Sequence, residues 1–375
     1  MLRGLKLKNY KCFKDIELDF SPLTVLTGLN STGKSSIIHS ILLLRQSMID
    51  GKLTADTKLS LNGNYINLGD GFDLLYEFAD SDDISMEYQF DSLTYGNSWN
   101  VSNKERKLSP RRLDLSESKT YQDNDIFSRT GNGYLDFVYL SADRIVPELT
   151  YKLSAQKPQN GFDLGSRGEF SVEYFDYIAN KQIPIPEISQ SRDLQVGTIQ
   201  QNIECWLNVI SPGVRIKTEM QQNIDLVRLS YEYSRPGHRS RNYSPVNVGF
   251  GITYIFPVLL SIIAANKGAM LLIENPEVHL HPRGQTELGK LMGLAAQNGV
   301  QIILETHSDH IINGIRLAVK NGDVDKDNVI LHFFENSVTI PCCVDTVIKL
   351  NDAGKLVECP DNFLSEWEMS LSQLI

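Results

Sequence analysis

The chain has 375 residues, of which 41% are hydrophobic and 22% are charged, and its formal net charge is −10. This length is ample for a large core in two or three packed units, and the composition is that of an ordinary globular protein. The negative charge excludes a surface that attracts nucleic acid as a whole, so any DNA contact needs a local basic patch or a partner.

The cysteines and the apolar runs predict a cytoplasmic protein. Five cysteines without a C-x-x-C pair indicate neither a disulfide framework nor a zinc site, and a reducing cytosol is the simple inference. The first residues lack the apolar core of a signal peptide. The longest apolar stretch, residues 255–265, is interrupted by Pro257 and is too short to span a bilayer. We therefore expect no insertion into a membrane.

The N-terminal part of the chain predicts a hairpin followed by a phosphate-binding loop. Alternating apolar residues over 2–20 predict two short strands. A strand-like run, residues 23–27, precedes G-L-N-S-T-G-K-S, which fits the P-loop pattern G-x-x-x-x-G-K-[ST], and a helix-like run, residues 35–48, follows it. Lys34 is expected on the β- and γ-phosphates and the Ser35 hydroxyl on Mg²⁺. The expected phosphate-binding residues are Asn30, Ser31, Thr32, Gly33, Lys34, Ser35 and Ser36.

The middle of the chain, residues 51–244, predicts an inserted lobe of strands and helices. The predicted strands cover residues 65–69, 84–90, 137–140, 214–217 and 226–233, and the predicted helices cover residues 170–179 and 203–209. Residues 91–133 are polar and predict a mobile loop that carries a basic cluster, Lys104, Arg106, Lys107, Arg111 and Arg112. A second basic loop holds Arg235, His238, Arg239 and Arg241.

After Pro245 the pattern alternates between helices and buried strands, which favours a mostly parallel α/β sheet. Residues 1–50 and 245–375 are therefore expected to form the nucleotide-binding core. The predicted helices cover residues 251–265, 283–297 and 308–320, and the predicted strands cover residues 270–273, 300–304, 329–334 and 344–350.

Two of these strands end in acidic residues that carry the expected chemistry. An apolar run ends in Glu274, which is the Walker B arrangement, in which the carboxylate holds Mg²⁺ directly or through water. The next strand ends in Glu305-Thr306-His307. Because ligands bind beyond the carboxyl ends of strands in open α/β sheets, His307 can reach a γ-phosphate or the attacking water.

A glycine-rich stretch directly before a helix predicts a second anion-binding surface. It comprises Asn247, Val248, Gly249, Phe250 and Gly251. It cannot serve the same phosphate as the P-loop unless the chain folds back, so two protomers arranged head to tail are the simpler solution. An ordinary helix-entry turn is the alternative interpretation.

The order of these motifs resembles the ABC-type ATPase heads of SMC, RecF and OLD proteins. The opening L-K-L-K-N-Y-K-C-F at residues 5–13 is also typical of them. Y-L-S-A-D-R at residues 139–144 and G-S-R-G-E at residues 165–169 resemble a subgroup of bacterial AAA-family ATPases found in anti-phage loci. The resemblance implies a single two-lobed α/β head over residues 1–375, with a mostly parallel sheet flanked by helices, an N-terminal antiparallel β lobe and an inserted lobe.

The resemblance further implies that two heads sandwich two ATP molecules with Mg²⁺, as a homodimer or within a higher oligomer. The P-loop and Walker B of one protomer then face residues 247–251 of the other, here called the signature stretch. His307 matches the histidine that senses the γ-phosphate, and residues 278–281 match the loop that crosses the dimer interface. ATP closes such a clamp, and hydrolysis opens it.

The chain departs from the family pattern at Asn275, where the family has a second acid that polarises the attacking water. An amide can orient water but cannot accept its proton, so either Glu277 or Glu305 substitutes or hydrolysis is slow. The expected catalytic residues are Glu274, Asn275, Glu277 and His307. The signature stretch also lacks the usual serine, and a Q-loop glutamine is not identifiable.

Too few residues follow the His307 motif for the C-terminal nuclease domain of OLD proteins, so a separate effector, a nuclease or a toxin, is the expected partner. The leading hypothesis is an ATPase that dimerises on ATP and regulates this effector or a DNA transaction in anti-phage defence. The alternatives are a nucleotide-gated scaffold with little or no hydrolysis and a DNA-maintenance ATPase of the RecF type. A transporter subunit is disfavoured because L-S-G-G-Q is absent. Whether DNA is bound stays open.

Overall fold

The chain is described from a computed structural model, in which it divides into two units. The first unit consists of Met1–Ser128 and Lys326–Ile375, and the second consists of Arg129–Asp325. The predicted division into a core of residues 1–50 and 245–375 and an inserted lobe of residues 51–244 stays a prediction. The structure describes residues 1–51, 58–101, 108–111, 130, 132–154, 163–189, 197–235, 237–337, 342–360 and 363.

An antiparallel sheet forms the N-terminal part of the first unit. Its strands are β1 (Leu2–Tyr10), β2 (Phe13–Asp19), β4 (Asp83–Phe90), β5 (Leu93–Val101) and β6 (Leu108–Arg111), in the order β2-β1-β4-β5-β6. The predicted hairpin is confirmed, with Leu5 opposite Leu18 and Leu7 opposite Ile16. All four side chains are buried, so the alternating pattern marks the core face of the sheet.

The P-loop strand of the first unit is paired with strands from the C-terminal part of the chain. Strand β3 (Leu23–Gly28) lies parallel to β14 (Val329–Asn336), and β15 (Cys343–Leu350) and β16 (Leu356–Val357) continue antiparallel. Helix α1 (Lys34–Ile49) follows the loop directly. A single-turn helix, α2 (Gly71–Leu74), precedes β4.

Three parallel strands form the centre of the second unit. Strand β12 (Ala265–Glu274) lies between β7 (Leu135–Leu140) and β13 (Gln301–Glu305). Glu274 and Glu305 are register partners, so both acids reach the same edge of the strands. The helices around them are α5 (Phe250–Ile263), α6 (Pro282–Gln297) and α7 (Asp309–Lys320). The alternation of strand and helix explains why these strands are apolar on both faces.

A smaller antiparallel sheet completes the second unit. Its strands are β8 (Tyr151–Lys152), β9 (Val214–Gln221), β10 (Leu226–Arg235) and β11 (His238–Arg239), and α3 (Ser171–Ile178) and α4 (Ile199–Ile210) contact β9. Val214, Ile216, Val227 and Leu229 point inward and are buried. Short 3₁₀ helices occur at Pro186–Ile188, Gln222–Ile224, Pro245–Asn247 and Lys326–Asn328.

The predicted α/β class with an N-terminal antiparallel sheet is confirmed, but two local predictions are wrong. Residues 65–69 form no strand and contribute only an isolated bridge between Asn62 and Asn67. Residues 93–101 and 108–111 form β5 and β6 instead of a mobile loop. Polar residues misled that prediction because β5 buries only part of its side chains. Residues 102–107, 112–129 and 131 of the predicted loop, with most of its basic cluster, lie outside the described residues.

No helix within the described ranges has the length and apolar character needed to cross a membrane.

Candidate functional site

The P-loop lies in the first unit, between β3 and α1, and its backbone geometry depends on glycine. Gly28, Ser31 and Gly33 have φ angles of 131°, 62° and 95°. A Cβ atom on Gly33 would lie 2.4 Å from Cζ of Phe13 and 2.5 Å from Sγ of Cys12. Both the positive φ and this close approach therefore require glycine at position 33.

Lys34 is buried against the loop that precedes it. Its Nζ donates to the carbonyl oxygens of Gly28, at 3.1 Å, and Leu29, at 2.6 Å. The Thr32 hydroxyl also donates to the Leu29 carbonyl, at 2.7 Å. The loop therefore presents a cation that its own backbone holds in place.

The start of α1 adds to this positive potential. The helix has 16 residues, its N-cap is Gly33, and its first turn contains no acidic residue. The first N–H groups of such a helix and its dipole favour an anion. Asn30 and Ser31 are exposed, and the side chains of Ser35 and Ser36 are partly exposed in the first turn. These residues fit a phosphate group, and the Ser35 hydroxyl is of the type that binds Mg²⁺ in P-loops.

A pocket of about 470 Å³ in the first unit is bordered by Ser31 of the P-loop and by the β1–β2 turn. Lys11 lines this pocket, and its Nζ lies 3.0 Å from Nδ1 of His39 on α1. Burial, and then the charge of Lys11, lower the pKa of His39 to about 4. His39 is therefore neutral at pH 7 and accepts a hydrogen bond from Lys11. The sequence did not lead us to predict this pair. The N-Y-K-C-F turn before the P-loop, which contains Lys11, is the signal that could have indicated it.

In the second unit, Glu274 lies at the end of β12 and is buried. The Tyr139 hydroxyl donates to its Oε1 at 3.0 Å, and the N–H of Ala142 donates to its Oε2 at 3.2 Å. Burial raises the pKa of this carboxyl, while these two donors and Arg144 oppose the shift. The carboxylate is thus held in a fixed orientation, as a metal ligand requires.

Arg144 fixes the backbone at the end of β12. Its side chain is 1% exposed, and its guanidinium group donates to the carbonyl oxygen of Glu274 and to that of Asn275, the latter at 3.2 Å. Its Cζ lies 4.8 Å above the ring of Tyr254 on α5. Tyr139 and Arg144 belong to the Y-L-S-A-D-R motif, to which the sequence assigned no role.

The structure brings together the four residues that were predicted to be catalytic. The N–H of Asn275 donates to the carbonyl of Glu305 at 2.8 Å, and the N–H of His307 donates to Oε1 of Glu277 at 2.9 Å. Oε2 of Glu277 and Oδ1 of Asn275 are buried and have no hydrogen-bond partner within the described part of the chain. Two oxygen acceptors beside the Glu274 strand end are therefore available to a donor such as water.

The signature stretch contacts the loop that contains His279. Helix α5 begins at Phe250, which is 39% exposed, and the His279 ring packs edge-to-face on it, with centroids 4.6 Å apart. A Cβ atom on Gly251 would lie 2.4 Å from the carbonyl oxygen of His279, so close packing explains Gly251. Asn247 and Gly249 are exposed, and a Cβ atom on Gly249 would meet open space.

With this geometry in hand, comparison with known proteins gives the family. The family described as "AAA domain, putative AbiEii toxin, Type IV TA system" matches residues 23–313. The chain belongs to this family. The match of this AAA domain includes the P-loop, the Glu274 strand end and His307.

Two curated relatives are nucleases. The Old nuclease of Escherichia phage P2 is 21% identical, over 88% of this chain and 61% of the relative. The OLD nuclease of Thermus scotoductus is 44% identical over 41 residues, which are 11% of this chain and 8% of the relative. The chain therefore spans less than two thirds of the length of these relatives.

A solved structure supports the fold. The Smc head domain derived from Pyrococcus furiosus, with an extended coiled coil and bound to the C-terminal domain of ScpA, has a TM-score of 0.51 and 13% identity, and the match covers 100% of this chain and 99% of that chain. The resemblance to SMC and OLD heads is thus confirmed for the AAA domain and its fold. The roles of single residues stay predictions.

Proposed function

We propose that this AAA-family chain binds ATP with Mg²⁺, hydrolyses it slowly, and closes as a homodimer around two ATP molecules to control a separate effector. The P-loop residues Asn30 to Ser36 bind the phosphates through backbone N–H groups and Lys34. The adjoining pocket has the size of a small-molecule site and takes the nucleoside. The Ser35 hydroxyl holds Mg²⁺, which neutralises charge on the β- and γ-phosphates.

For hydrolysis, we propose that Glu277 replaces the acid that position 275 lacks. One observation carries this assignment: Oε1 of Glu277 is fixed by the His307 N–H, and its Oε2 is buried without a partner among the described residues. Oε2 accepts a proton from the attacking water. Oδ1 of Asn275 accepts a hydrogen bond from the second hydrogen of the same water. The exposed His307 contacts the γ-phosphate, and Tyr139 and Arg144 position the strand end.

The test is steady-state phosphate release by purified protein. We expect Glu277→Gln to lower kcat about 100-fold, because a general base typically contributes 10²–10⁴, while KM for ATP changes little. Glu287→Gln, a carboxylate on the surface of α6, is the matched control and should leave both constants unchanged. A Glu277→Gln enzyme with the wild-type kcat would contradict the assignment.

A nucleotide-gated scaffold is the second candidate function, and the backbone of Asn275 favours it. Asn275 has φ of 43°, a conformation that Asn tolerates better than Glu, so its presence has a conformational reason apart from catalysis. Wild-type phosphate release equal to that of Lys34→Ala would establish the scaffold. If hydrolysis is real but limited by the missing acid, Asn275→Glu should raise kcat despite the strained φ.

The proposed dimer places the signature stretch of one chain on the nucleotide of the other. The exposed Gly249, with open space around its Cβ position, and the partly exposed Phe250 support this role. Light scattering on Glu277→Gln protein should show a dimer with ATP and a monomer without nucleotide. Gly249→Trp should remove the dimer and leave ATP binding by the monomer intact. A monomer under every nucleotide condition would contradict the sandwich.

We further propose that the effector is a nuclease or a toxin and that the system acts in cytoplasmic anti-phage defence. The family description names a toxin, and both curated relatives are named nucleases. Purification from the native locus should retain a neighbouring nuclease or toxin with ATP present. The Lys34→Ala chain should not retain this nuclease or toxin. If the wild-type and the Lys34→Ala proteins both retained it, ATP would not control the interaction.

A further inference from the structure

An aromatic cluster in the second unit connects the signature stretch to the end of β12, and the proposed function assigns it no role. We define the aromatic cluster as Phe250, Tyr254 and His279. The ring centroid of Tyr254 lies 6.2 Å from that of Phe250 and 5.4 Å from that of His279, and the Phe250 and His279 centroids are 4.6 Å apart. Phe250 and Tyr254 are one turn apart on α5, so they lie on the same side of the helix. A displacement of Phe250 therefore has to be accommodated by the other two rings.

The outer end of the aromatic cluster faces solvent at the signature stretch. Phe250 is 39% exposed, whereas Tyr254 is buried. His279 is exposed and has φ of 65°, a backbone conformation that costs free energy in a residue other than glycine. A Cβ atom on Gly251 would lie 2.4 Å from the His279 carbonyl oxygen, so the start of α5 packs closely against this strained residue. Strain that is held by such contacts is released when the contacts change.

The inner end of the aromatic cluster reaches the carboxylate of Glu274 through Ala142. The Tyr254 hydroxyl donates to the carbonyl oxygen of Ala142, and the N–H of Ala142 donates to Oε2 of Glu274 at 3.2 Å. Burial raises the pKa of Tyr254, so the hydroxyl keeps the proton that it donates. Because both hydrogen bonds involve the backbone of Ala142, a change in the position of the Tyr254 hydroxyl alters the contact with Glu274.

The ring of Tyr254 reaches the same strand end by a second route, through Arg144. The Arg144 Cζ lies 4.8 Å from the ring centroid, and the guanidinium group donates to the carbonyl oxygen of Asn275 at 3.2 Å. Stacking on an aromatic face is an interaction for which the planar guanidinium group is suited. A phenylalanine ring would pack and stack at position 254 as well, so packing does not explain the hydroxyl. The hydroxyl therefore has a reason of its own, which is its bond to Ala142.

We propose that Tyr254 is a positioning residue that transmits contact at Phe250 to Glu274, so that each chain aligns its own β12 end when a second copy covers its signature stretch. The proposal rests on the proposed homodimer and adds a regulation of hydrolysis to it. In a monomer, Phe250 faces water, and Ala142 keeps its contact with Glu274 for only part of the time. In the dimer, the covered aromatic cluster holds Tyr254 and Ala142 in place. Hydrolysis is thereby confined to the closed dimer.

The test is hydrogen exchange of backbone amides in Glu277→Gln protein, in which ATP should give a stable dimer, with light scattering on the same samples. We expect ATP to slow exchange in the peptide that contains Ala142 by at least about fivefold, the factor that one neutral hydrogen bond supplies. Adding Tyr254→Phe, which keeps the ring and removes only the hydroxyl, should abolish this slowing while the dimer persists.

Two controls in the same Glu277→Gln protein separate the hydroxyl from ATP binding and from the exchange of any tyrosine. Gly249→Trp should bind ATP as a monomer and show no slowing in the peptide that contains Ala142. Tyr177→Phe changes a tyrosine that is 41% exposed and lies outside the aromatic cluster, and it should leave the slowing intact.

Phosphate release by the chain that retains Glu277 gives a second measurement. We expect Tyr254→Phe to lower kcat about fivefold and to leave KM for ATP unchanged, because the hydroxyl acts on the strand end and the P-loop binds the ATP. A Tyr254→Phe chain with the wild-type kcat would contradict the positioning role.

The exchange experiment distinguishes failure of this proposal from failure of the proposed function. Equal slowing with and without Tyr254→Phe would overturn the proposal and leave the homodimer standing, as would slowing that persists with Gly249→Trp. Loss of the dimer on Tyr254→Phe would also overturn it, because the residue would then serve assembly. A monomer in light scattering for Glu277→Gln with ATP would contradict the homodimer and this proposal together.

Discussion

The P-loop and the end of β12 both hold a charged group in a fixed place, but they use different parts of the chain to do so. Lys34 contacts the carbonyls of Gly28 and Leu29, six and five residues earlier. Glu274 contacts Tyr139, 135 residues away, and Arg144 reaches its carbonyl over 130 residues. The first geometry is local, and the second depends on long-range packing. A mutation should therefore affect them in different ways.

The largest effect is expected from Arg144, on which the long-range geometry depends. Arg144→Met removes the donors of two carbonyl groups and leaves a buried space beside Tyr254. We expect the free energy of unfolding to fall by roughly 3 kcal/mol or more, as for other losses of buried charged donors. Urea denaturation measures this change.

Arg167→Met is the matched control for Arg144. Arg167 is half-exposed and pairs with Asp143 at 3.0 Å, so its removal should cost less than about 1 kcal/mol. If the two variants lost the same free energy of unfolding, the buried contacts of Arg144 would contribute no more than an exposed ion pair. That result would contradict the contrast between local and long-range geometry.

The next effect concerns the local geometry of the P-loop. Gly33→Ala forces a Cβ atom against Phe13 and Cys12 at a φ of 95°. Strain at positive φ costs about 1–2 kcal/mol, and overpacking adds about 1–3 kcal/mol. Gly51→Ala has a similar backbone, with φ of 65°, but open space around the Cβ position. Thermal unfolding should show a clearly larger loss for Gly33→Ala, and a smaller one would contradict the close approach.

The same contrast explains what the sequence could predict. G-L-N-S-T-G-K-S defines its own backbone, and the structure confirms the strand before it and the helix after it. The alternating pattern of β1 and β2 and the apolar run of β12 also locate the core. These signals are local, because the periodicity of each element can be recognised from its own residues.

Contacts between distant residues left no such signal. Nothing in the periodicity tells which donor meets Glu274 or that Arg144 binds two carbonyls, since 130 residues separate the partners. Strand β5 was missed for a related reason: its polar residues look like a loop until β4 is known to pair with it, with Ile84 opposite Trp99. Pairing partners are a property of the fold and cannot be derived from one segment.

A smaller effect, seen only in acid, is expected from His39 beside the P-loop helix. Burial and the charge of Lys11 lower its pKa to about 4 in the folded chain, against about 6.5 unfolded. The unfolded chain therefore binds more protons between these values, so wild-type stability falls as the pH drops from 6.5 to 4. His39→Gln removes this loss, and we expect its stability relative to wild type to rise by about 1–2 kcal/mol between pH 7 and pH 5.

Urea denaturation at the two pH values checks this prediction, with His238→Gln as the control because His238 is exposed. The control should show the same pH response as the wild type. A His39→Gln chain that loses as much stability as the wild type between pH 7 and pH 5 would show that His39 protonates without cost when folded.

The smallest effect is expected at Glu274, and it has the opposite sign with pH. Burial raises the pKa of this carboxyl above its unfolded value, so the folded chain binds more protons in the window just above that value. Wild-type stability therefore falls as the pH rises through this window, and Glu274→Gln should become more stable relative to wild type over the same range. Urea denaturation in EDTA without nucleotide measures this difference, with Glu287→Gln as the control. If Glu274→Gln instead lost stability relative to the wild type as the pH rose, the donors Tyr139 and Ala142 would outweigh burial.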